Sequence, residues 1–343
     1  MEFKVTIQPS GHAFVCRPGE SLLTGALREG YGLPYGCRSG ACGSCKGQII
    51  SGTVDYGVYQ KSALSDEEKA VGKALFCRAV PTSDVAIEAR TVAGVRDIDI
   101  KKLPCRVEKI ERPNHDVAIH HLKLPANESL RYLPGQYIDI LLKDGRRRSF
   151  SLAGAPQQSD MLTLHIRHYP GGEFSGYVLN EMKERTLLRF EGPLGTFFLR
   201  EDSDKPIVLM AGGTGFAPIK AIVEHALARG TLRPMVLYWG ARTRADLYLA
   251  ELAGQWQQDH DNFTFIPVLS DPAAADAWPG RTGFVHQAIL DDFSDLSGYQ
   301  VYACGPPAMV DAGKRAFVET RGLPQSEFYS DPFTIATDPA VKA

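Results

Sequence analysis

Residues 37–45 read Cys37-Arg38-Ser39-Gly40-Ala41-Cys42-Gly43-Ser44-Cys45, and a fourth thiol, Cys77, follows after a long gap. C-x4-C-x2-C…C is the spacing of a [2Fe–2S] ligand set. A net-negative iron–sulfur unit needs four thiolates converging on it and backbone N–H groups aimed at its sulfurs. Gly36, Gly40 and Gly43 remove side-chain bulk and permit the φ values that so tight a wrap requires. A four-cysteine zinc site and a set of buried free thiols are the alternatives. Zinc ribbons usually pair two C-x2-C knuckles, and Cys77 has no knuckle partner, so the spacing favours iron–sulfur with Cys37, Cys42, Cys45 and Cys77 as metal ligands.

Outward from that loop, composition sets bounds. The 343 residues suggest two or three domains. With 44% apolar and 23% charged residues the chain has a globular balance, which excludes wholesale disorder. A net charge of −2 argues against a nucleic-acid partner. No apolar run reaches the roughly 20 residues needed to span a bilayer, so no membrane association is expected. The start, Met1-Glu2-Phe3-Lys4-Val5, alternates like a strand rather than like a signal peptide, and the expected address is the cytoplasm. Seven cysteines there do not suggest a disulfide framework.

Three segments follow. In residues 1–93, alternating stretches Phe3 to Ile7 and His12 to Arg17 flank a turn at Pro9, Ser10 and Gly11. Ser21 then caps a helix whose apolar face is Leu22, Leu23, Ala26 and Leu27, and Gly30 stops it. Strand-like Gln48 to Val54 and Val85 to Ala89 complete a small α+β domain. Residues 94–104 are charged and weakly patterned and are expected to be a linker. Residues 105–203 hold period-two runs at Cys105 to Ile110, Val117 to Leu124, Tyr137 to Leu142, Ser149 to Leu152 and Leu162 to His168, interrupted by one helix, Phe174 to Met182. That rhythm predicts an antiparallel β-barrel. In residues 204–343 strands at Pro206 to Met210, Met235 to Trp239, Phe263 to Leu269 and Gln300 to Ala303 alternate with helices at Pro218 to Ala228, Ala245 to Trp256 and Ala308 to Thr320. This predicts a parallel-sheet α/β domain. The fold class expected is therefore multi-domain α+β and α/β.

The first segment resembles the plant-type ferredoxins, which implies a β-grasp. Arg38, Lys46 and Arg78 lie beside the ligands, where soluble plant ferredoxins tend to be acidic. They are either a solvated surface or the mark of a covalently attached donor and a non-basic acceptor.

Arg148-Ser149-Phe150-Ser151-Leu152, downstream of Pro134-Gly135-Gln136-Tyr137, is similar to the flavin motif of the ferredoxin–NADP reductase superfamily. The resemblance implies that Arg148 pairs with the flavin diphosphate, Phe150 packs on the isoalloxazine and Ser151 presents a hydroxyl near N5. An Arg fork suits phosphate, an aromatic face suits a flat ring, and a small donor tunes the flavin without blocking it. Strand-like His165-Ile166-Arg167-His168 runs into Tyr169-Pro170-Gly171-Gly172, and Ser175 falls in the first turn of a helix. A Gly-Gly turn opening a helix offers free N–H groups to an anion. In the superfamily this element grips the flavin pyrophosphate, so His165, Arg167, Gly171, Gly172 and Ser175 join the cofactor-binding set. FAD is expected over FMN, because relatives with an N-terminal ferredoxin domain carry it. Gly192-Pro193-Leu194-Gly195-Thr196-Phe197 closes the barrel in the family.

Ala211-Gly212-Gly213-Thr214-Gly215-Phe216-Ala217-Pro218 follows a strand and opens a helix. A Gly-rich turn there brings backbone close to a pyrophosphate. It is not a strict G-x-G-x-x-G, and resembles the superfamily's own G-G-x-G-x-x-P turn. Cys304-Gly305-Pro306-Pro307-Ala308-Met309 matches the family's C-G-P-x-x-M element. Cys304 is read either as a small buried hydrophobe or as a residue beside the nicotinamide, and its position at the end of a strand, at the sheet face where such folds bind ligands, favours the second. Asp331 and Phe333 fall where the family carries an acidic residue and a ring-stacking aromatic, or in a frayed tail. Ser151, Cys304 and Asp331 are the expected catalytic residues. Arg242 or Arg244 reads the ribose 2′ position or is merely solvated; relatives with this domain order favour NADH over NADPH.

Together the segments resemble the iron–sulfur flavoprotein reductases of bacterial oxygenases, and most of all the CDP-6-deoxy-Δ3,4-glucoseen reductases. The stretches Leu33-Pro34-Tyr35-Gly36-Cys37, Lys102-Leu103-Pro104-Cys105-Arg106-Val107, Arg147 to Leu152 and Gly283-Phe284-Val285-His286 carry that likeness. It implies a chain that takes a hydride from NAD(P)H on FAD and passes single electrons through the cluster, at roughly −400 mV, to a downstream dehydratase or oxygenase component. Holding the centres in one polypeptide raises their effective concentration. An iron–sulfur redox sensor without turnover and a free-standing flavin reductase are the readings from other classes.

Overall fold

Residues 1–92, 94, 98–156 and 161–334 are described by the computed structural model. Ala93, residues 95–97 of the expected linker and the tail beyond Thr334 lie outside the described residues. Contacts divide the chain into two units: Met1–Asp99 with Leu194–Phe197, and Ile100–Pro193 with Phe198–Ala343.

The first unit is a five-stranded mixed sheet in the order Ala13–Cys16, Phe3–Gln8, Val85–Glu88, Lys46–Ser51, Lys73–Leu75. Phe3–Gln8 pairs antiparallel with Ala13–Cys16 and parallel with Val85–Glu88, the arrangement of a β-grasp. The helix Leu22–Arg28 starts where Ser21 accepts from the Thr24 N–H, and it buries Leu22, Leu23, Gly25 and Ala26 against the sheet. Alternation along Phe3–Gln8 puts Val5 and Ile7 in the core with Thr6 and Gln8 outward. A short helix not anticipated from the sequence, Asp66–Ala70, carries a capping box between Ser65 and Glu68. The segment Leu194–Phe197 belongs with this unit. The Tyr35 N–H donates to Thr196 Oγ1 at 2.9 Å, and the Thr196 N–H donates to the Tyr35 carbonyl at 3.1 Å.

The second unit begins with a six-stranded sheet ordered Arg147–Ser151, Tyr137–Leu141, Leu187–Leu194, Lys101–Glu111, Val117–Lys123, Met161–Arg167. Its core is Leu103, Val107, Leu122, Ile138, Ile140, Leu164 and Phe190, with Phe174 and Val178 of the helix Glu173–Asn180 packed beneath. The strand Lys101–Glu111 begins inside the expected linker. Lys101, Lys102 and Pro104 look linker-like, yet Leu103, Cys105 and Val107 alternate inward, so the charges mark only the outer face.

The remaining sheet is wholly parallel, ordered Arg281–Thr282, Phe263–Leu269, Met235–Ala241, Ile207–Gly212, Gln300–Gly305, Phe328–Pro332. Every residue of Ile207–Gly212 and Gln300–Gly305 is buried, as befits central strands covered on both faces. The chain builds outward from Ile207–Gly212 in one direction, then returns to its other side with Gln300–Gly305. The order therefore reverses between these two strands, and ligands of open α/β sheets bind at the carboxyl ends of such a switch point. The helix Val285–Asp292, with Val285, Ala288 and Ile289 buried at helical spacing, and the strand Phe328–Pro332 are two elements the sequence reading does not name.

Candidate cofactor and hydride-transfer sites

The cysteine loop is built as tightly as its glycines imply. Gly40 and Gly43 lie at φ +80° and +74°, and a Cβ on Gly40 would come within 2.9 Å of Arg78 Cγ and 3.0 Å of Tyr59 Cβ. Backbone N–H groups aim at sulfur: Ala41 and Cys42 donate to Cys37 Sγ at 3.4 and 3.3 Å, and Cys37 donates to Cys42 Sγ at 3.3 Å. Cys77 arrives by strand pairing. Lys46 lies opposite Leu75, the Phe76 N–H donates to the Cys45 carbonyl, and the Leu23 N–H donates to the Phe76 carbonyl.

The four thiols fall into two hydrogen-bonded pairs, Cys37 with Cys42 and Cys45 with Cys77. The Cys37 thiol is drawn down to about 5, first by the hydrogen bond with Cys42 and then by donors at Ser39 and Ala41. Its partner Cys42 is pushed up by the same bond and by burial, and Cys45 by its bond to Cys77 and by burial. The C-x4-C-x2-C…C ligand set, with backbone N–H groups aimed at its sulfurs, would suit a [2Fe–2S] cluster. Of the basic neighbours, Lys46 is committed to Glu68 at 2.6 Å, and the Arg78 Nε–H donates to the Val58 carbonyl.

In the barrel the two edge strands carry the expected flavin residues. Arg147–Ser151 holds Arg148, Phe150 and the buried Ser151, and Met161–Arg167 holds His165 and Arg167. Among the described residues the edges meet at the Leu152–Leu164 bridge and where the Ala153 N–H donates to the Thr163 carbonyl. Past that junction, residues 165–167 pair with Ile119, Ala118 and Val117 on their inner side, so the strand that carries His165 and Arg167 stands at the end of the sheet order. Phe150 is half-buried, 5.8 Å from Phe174. Arg147, adjacent to Arg148, is taken by Glu191 at 3.0 Å. Gly172 caps the helix Glu173–Asn180 without a side-chain bond, Gly171 has φ +77° with open space where a Cβ would stand, and Ser175 Oγ donates to the Gly172 carbonyl while accepting from the Tyr169 N–H. His165 and Arg167 are occupied in a way the sequence did not signal. His165 Nδ1 is 2.8 Å from the Tyr248 hydroxyl, and Arg167 is bonded to Asp116 at 2.7 Å and paired with Asp246 at 3.5 Å.

At the switch point two loops cross by backbone contact. A Cβ on Gly215 would lie 2.1 Å from the Cys304 carbonyl, and one on Gly305, whose φ is +140°, would lie 2.8 Å from the Gly212 carbonyl. A Cβ on Gly212 would strike Met309 Sδ at 2.6 Å and Pro306 Cδ at 2.8 Å. The glycines therefore serve as a cradle whose floor is main chain, with the helices Phe216–Ala228 and Pro307–Thr320 both starting there. Thr214 is buried in the same turn. The Cys304 thiol donates to the Asp331 carbonyl at 3.2 Å, and the Phe333 N–H donates to the Gly305 carbonyl at 2.8 Å. Cys304, Gly305, Asp331 and Phe333 thus meet at one end of the sheet. Burial pushes the Cys304 thiol far above its ordinary value, so it stays protonated. Arg242 lies in the loop after Met235–Ala241 and faces Asp271 at 3.4 Å. The backbone N–H of Arg244 donates to Asp276 at 3.4 Å.

A β-grasp thiol loop, a barrel with its Arg148-Ser149-Phe150-Ser151 edge strand and a glycine cradle on a parallel sheet define an NAD(P)H-dependent iron–sulfur flavoprotein oxidoreductase. Comparison with known proteins agrees. Residues 5–82 match the 2Fe-2S iron–sulfur cluster binding domain, 104–199 the oxidoreductase FAD-binding domain and 209–315 the oxidoreductase NAD-binding domain. CDP-6-deoxy-L-threo-D-glycero-4-hexulose-3-dehydrase reductase of Yersinia pseudotuberculosis is 40% identical over 97% of this chain and 99% of its own. The terephthalate 1,2-dioxygenase reductase component 2 of Comamonas is 35% identical over 99% of both chains. A crystal structure of an Amycolatopsis cytochrome P450 reductase superposes with a TM-score of 0.80 at 35% identity, covering 98% of this chain and 100% of that one. The chain belongs to the family of iron–sulfur flavoprotein electron-transfer reductases, with [2Fe–2S], FAD and NAD-binding domains in that order. Among the described residues no helix is long and apolar enough to cross a membrane.

Proposed function

We propose that this reductase supplies electrons to a dehydratase acting on a CDP-6-deoxyhexose. The observation that carries this reading is the 40% identity along 97% of the chain with the Yersinia reductase of that pathway name. When bound, the flavin accepts a hydride and releases its two electrons singly, and the cluster accepts one at a time. The chain's own residues have the following roles. Cys37, Cys42, Cys45 and Cys77 hold the irons, and the N–H groups of the loop stabilise charge on the thiolates. Arg148 and the Gly171–Gly172 turn with Ser175 would hold the flavin diphosphate, Phe150 would pack on the ring, and His165 and Arg167 would join that binding set. Gly212, Gly213, Thr214, Gly215, Gly305 and Pro306 receive the dinucleotide. Ser151, Cys304 and Asp331 would line the place where a hydride passes between nicotinamide and flavin, and Phe333 would shield the flavin ring there.

NADH is the favoured donor. A 2′-phosphate reaching Arg242 would also meet the carboxylate of Asp271. The ratio of kcat/KM for NADH over NADPH is expected to exceed one, and Asp271→Ala to lower it. The partner is tested by reconstitution. Purified reductase should support turnover of a CDP-6-deoxyhexose dehydratase; turnover of an oxygenase with none of the dehydratase would overturn the assignment. The alternative, a reductase component of a mono- or dioxygenase, draws on the likeness to the Amycolatopsis and Comamonas reductases.

A further inference from the structure

The second unit has a seam of polar contacts that the hydride path does not use. The turn Thr243–Tyr248 of the parallel-sheet lobe lies against the barrel strand Met161–Arg167 and against Asn114 in the loop before Val117. The Asn114 side-chain amide donates to the Ala245 carbonyl at 3.2 Å. Asp246, 7% exposed, uses one carboxylate oxygen to accept from the Thr243 N–H and hydroxyl, both at 3.0 Å, and presents the other to Arg167. Tyr248 and His165, both buried, share a hydrogen across the seam at 2.8 Å with rings edge to face.

The same contacts fix the nucleotide cradle. A Cβ on Gly213 would fall 2.5 Å from an Arg167 guanidinium nitrogen, so that glycine abuts the arginine directly. From the other side the Trp239 Nε1–H donates to the Gly213 carbonyl at 3.0 Å. Trp239 is stacked on Phe216 at 3.9 Å, and both rings meet Tyr248 edge-on. Gly213 is thereby held between a tryptophan of its own lobe and an arginine of the flavin strand.

We propose that Tyr248 and Asp246 are positioning residues that set the nicotinamide cradle against the flavin strand, acting through His165 and Arg167 respectively. Hydride transfer requires donor and acceptor about 3–3.5 Å apart, and a misplacement of about 1 Å can cost about a hundredfold in rate. A neutral, dry hydrogen bond and a half-buried ion pair suit this use, because they are directional where apolar packing is not.

The test uses cofactor-replete protein and NADH in stopped-flow, beside hydrogen exchange without nucleotide. Tyr248→Phe keeps the ring and removes the hydroxyl; Asp246→Asn keeps the shape and removes the charge. Each is expected to retain FAD and cluster at full occupancy and to change KM by less than about twofold. Flavin reduction should slow at least about tenfold, with a larger primary isotope effect from deuterated NADH and a weaker charge-transfer band with a non-reducing NADH analogue. Peptides covering Gly213–Gly215 should exchange faster before any nucleotide is added. A lowered melting temperature with unchanged reduction rate, isotope effect and band in the variants that fold would reduce the seam to packing and overturn the proposal. Should Tyr248→Phe fail to fold, Asp246→Asn alone decides on the same readouts.

Discussion

Gly215 and Cys304 touch through main chain: a methyl group on Gly215 would sit 2.1 Å from the Cys304 carbonyl oxygen. Two loops 89 residues apart are held together at the sheet's switch point by the absence of one side chain. Gly215→Ala is expected to force them apart at a cost of about 1–3 kcal/mol. The melting temperature should fall and KM for NADH should rise severalfold, while the visible spectrum of the cluster is unchanged. An unaltered KM would show that the crossing does not shape the nucleotide site.

Cys42→Ser removes one of the two thiols of the first pair. The cluster's visible absorbance should vanish. Reduction of cytochrome c should collapse, while reduction of ferricyanide, which takes electrons directly from the flavin, should persist. Equal retention of both activities would defeat the route through the cluster.

Arg148→Ala should weaken FAD by about 1.5–3 kcal/mol, the worth of hydrogen bonds to a charged group. At about 1.4 kcal/mol per decade this is roughly ten- to 150-fold in Kd. Flavin fluorescence after equilibrium dialysis measures it. Arg147→Ala, whose guanidinium faces Glu191 and Asp139, should leave Kd for FAD unchanged within about twofold and serves as the neighbouring control.

His120 is 1% exposed in the barrel, and burial lowers its imidazole to about 4 from an ordinary 6.5. The unfolded chain therefore binds a proton between these values that the folded chain refuses. The stabilisation, about 3 kcal/mol, is complete above pH 6.5 and is lost as pH falls toward 4. His165, lowered by burial as well, acts in the same direction. Urea unfolding at pH 5 and pH 7 should show a smaller difference for His120→Leu than for the unmodified chain. Identical differences would remove His120 from the acid response.

Local spacing determined the chemistry of this protein. The thiol loop, the glycines at 212, 213 and 215, and the alternation of apolar residues each act over a few neighbouring positions, so each was legible without coordinates. The strand at Lys101–Glu111 was only half legible, because its outward charges mimic a linker. Tertiary structure decided what distant segments do to one another. The thiols divide into two pairs because strand pairing carries Cys77 to Cys45. Arg167 answers to Asp116 and Asp246, and His165 to Tyr248. No local pattern encodes such contacts, since a partner 83 residues away in the chain is chosen by packing and by the cost of burying an unpaired polar group.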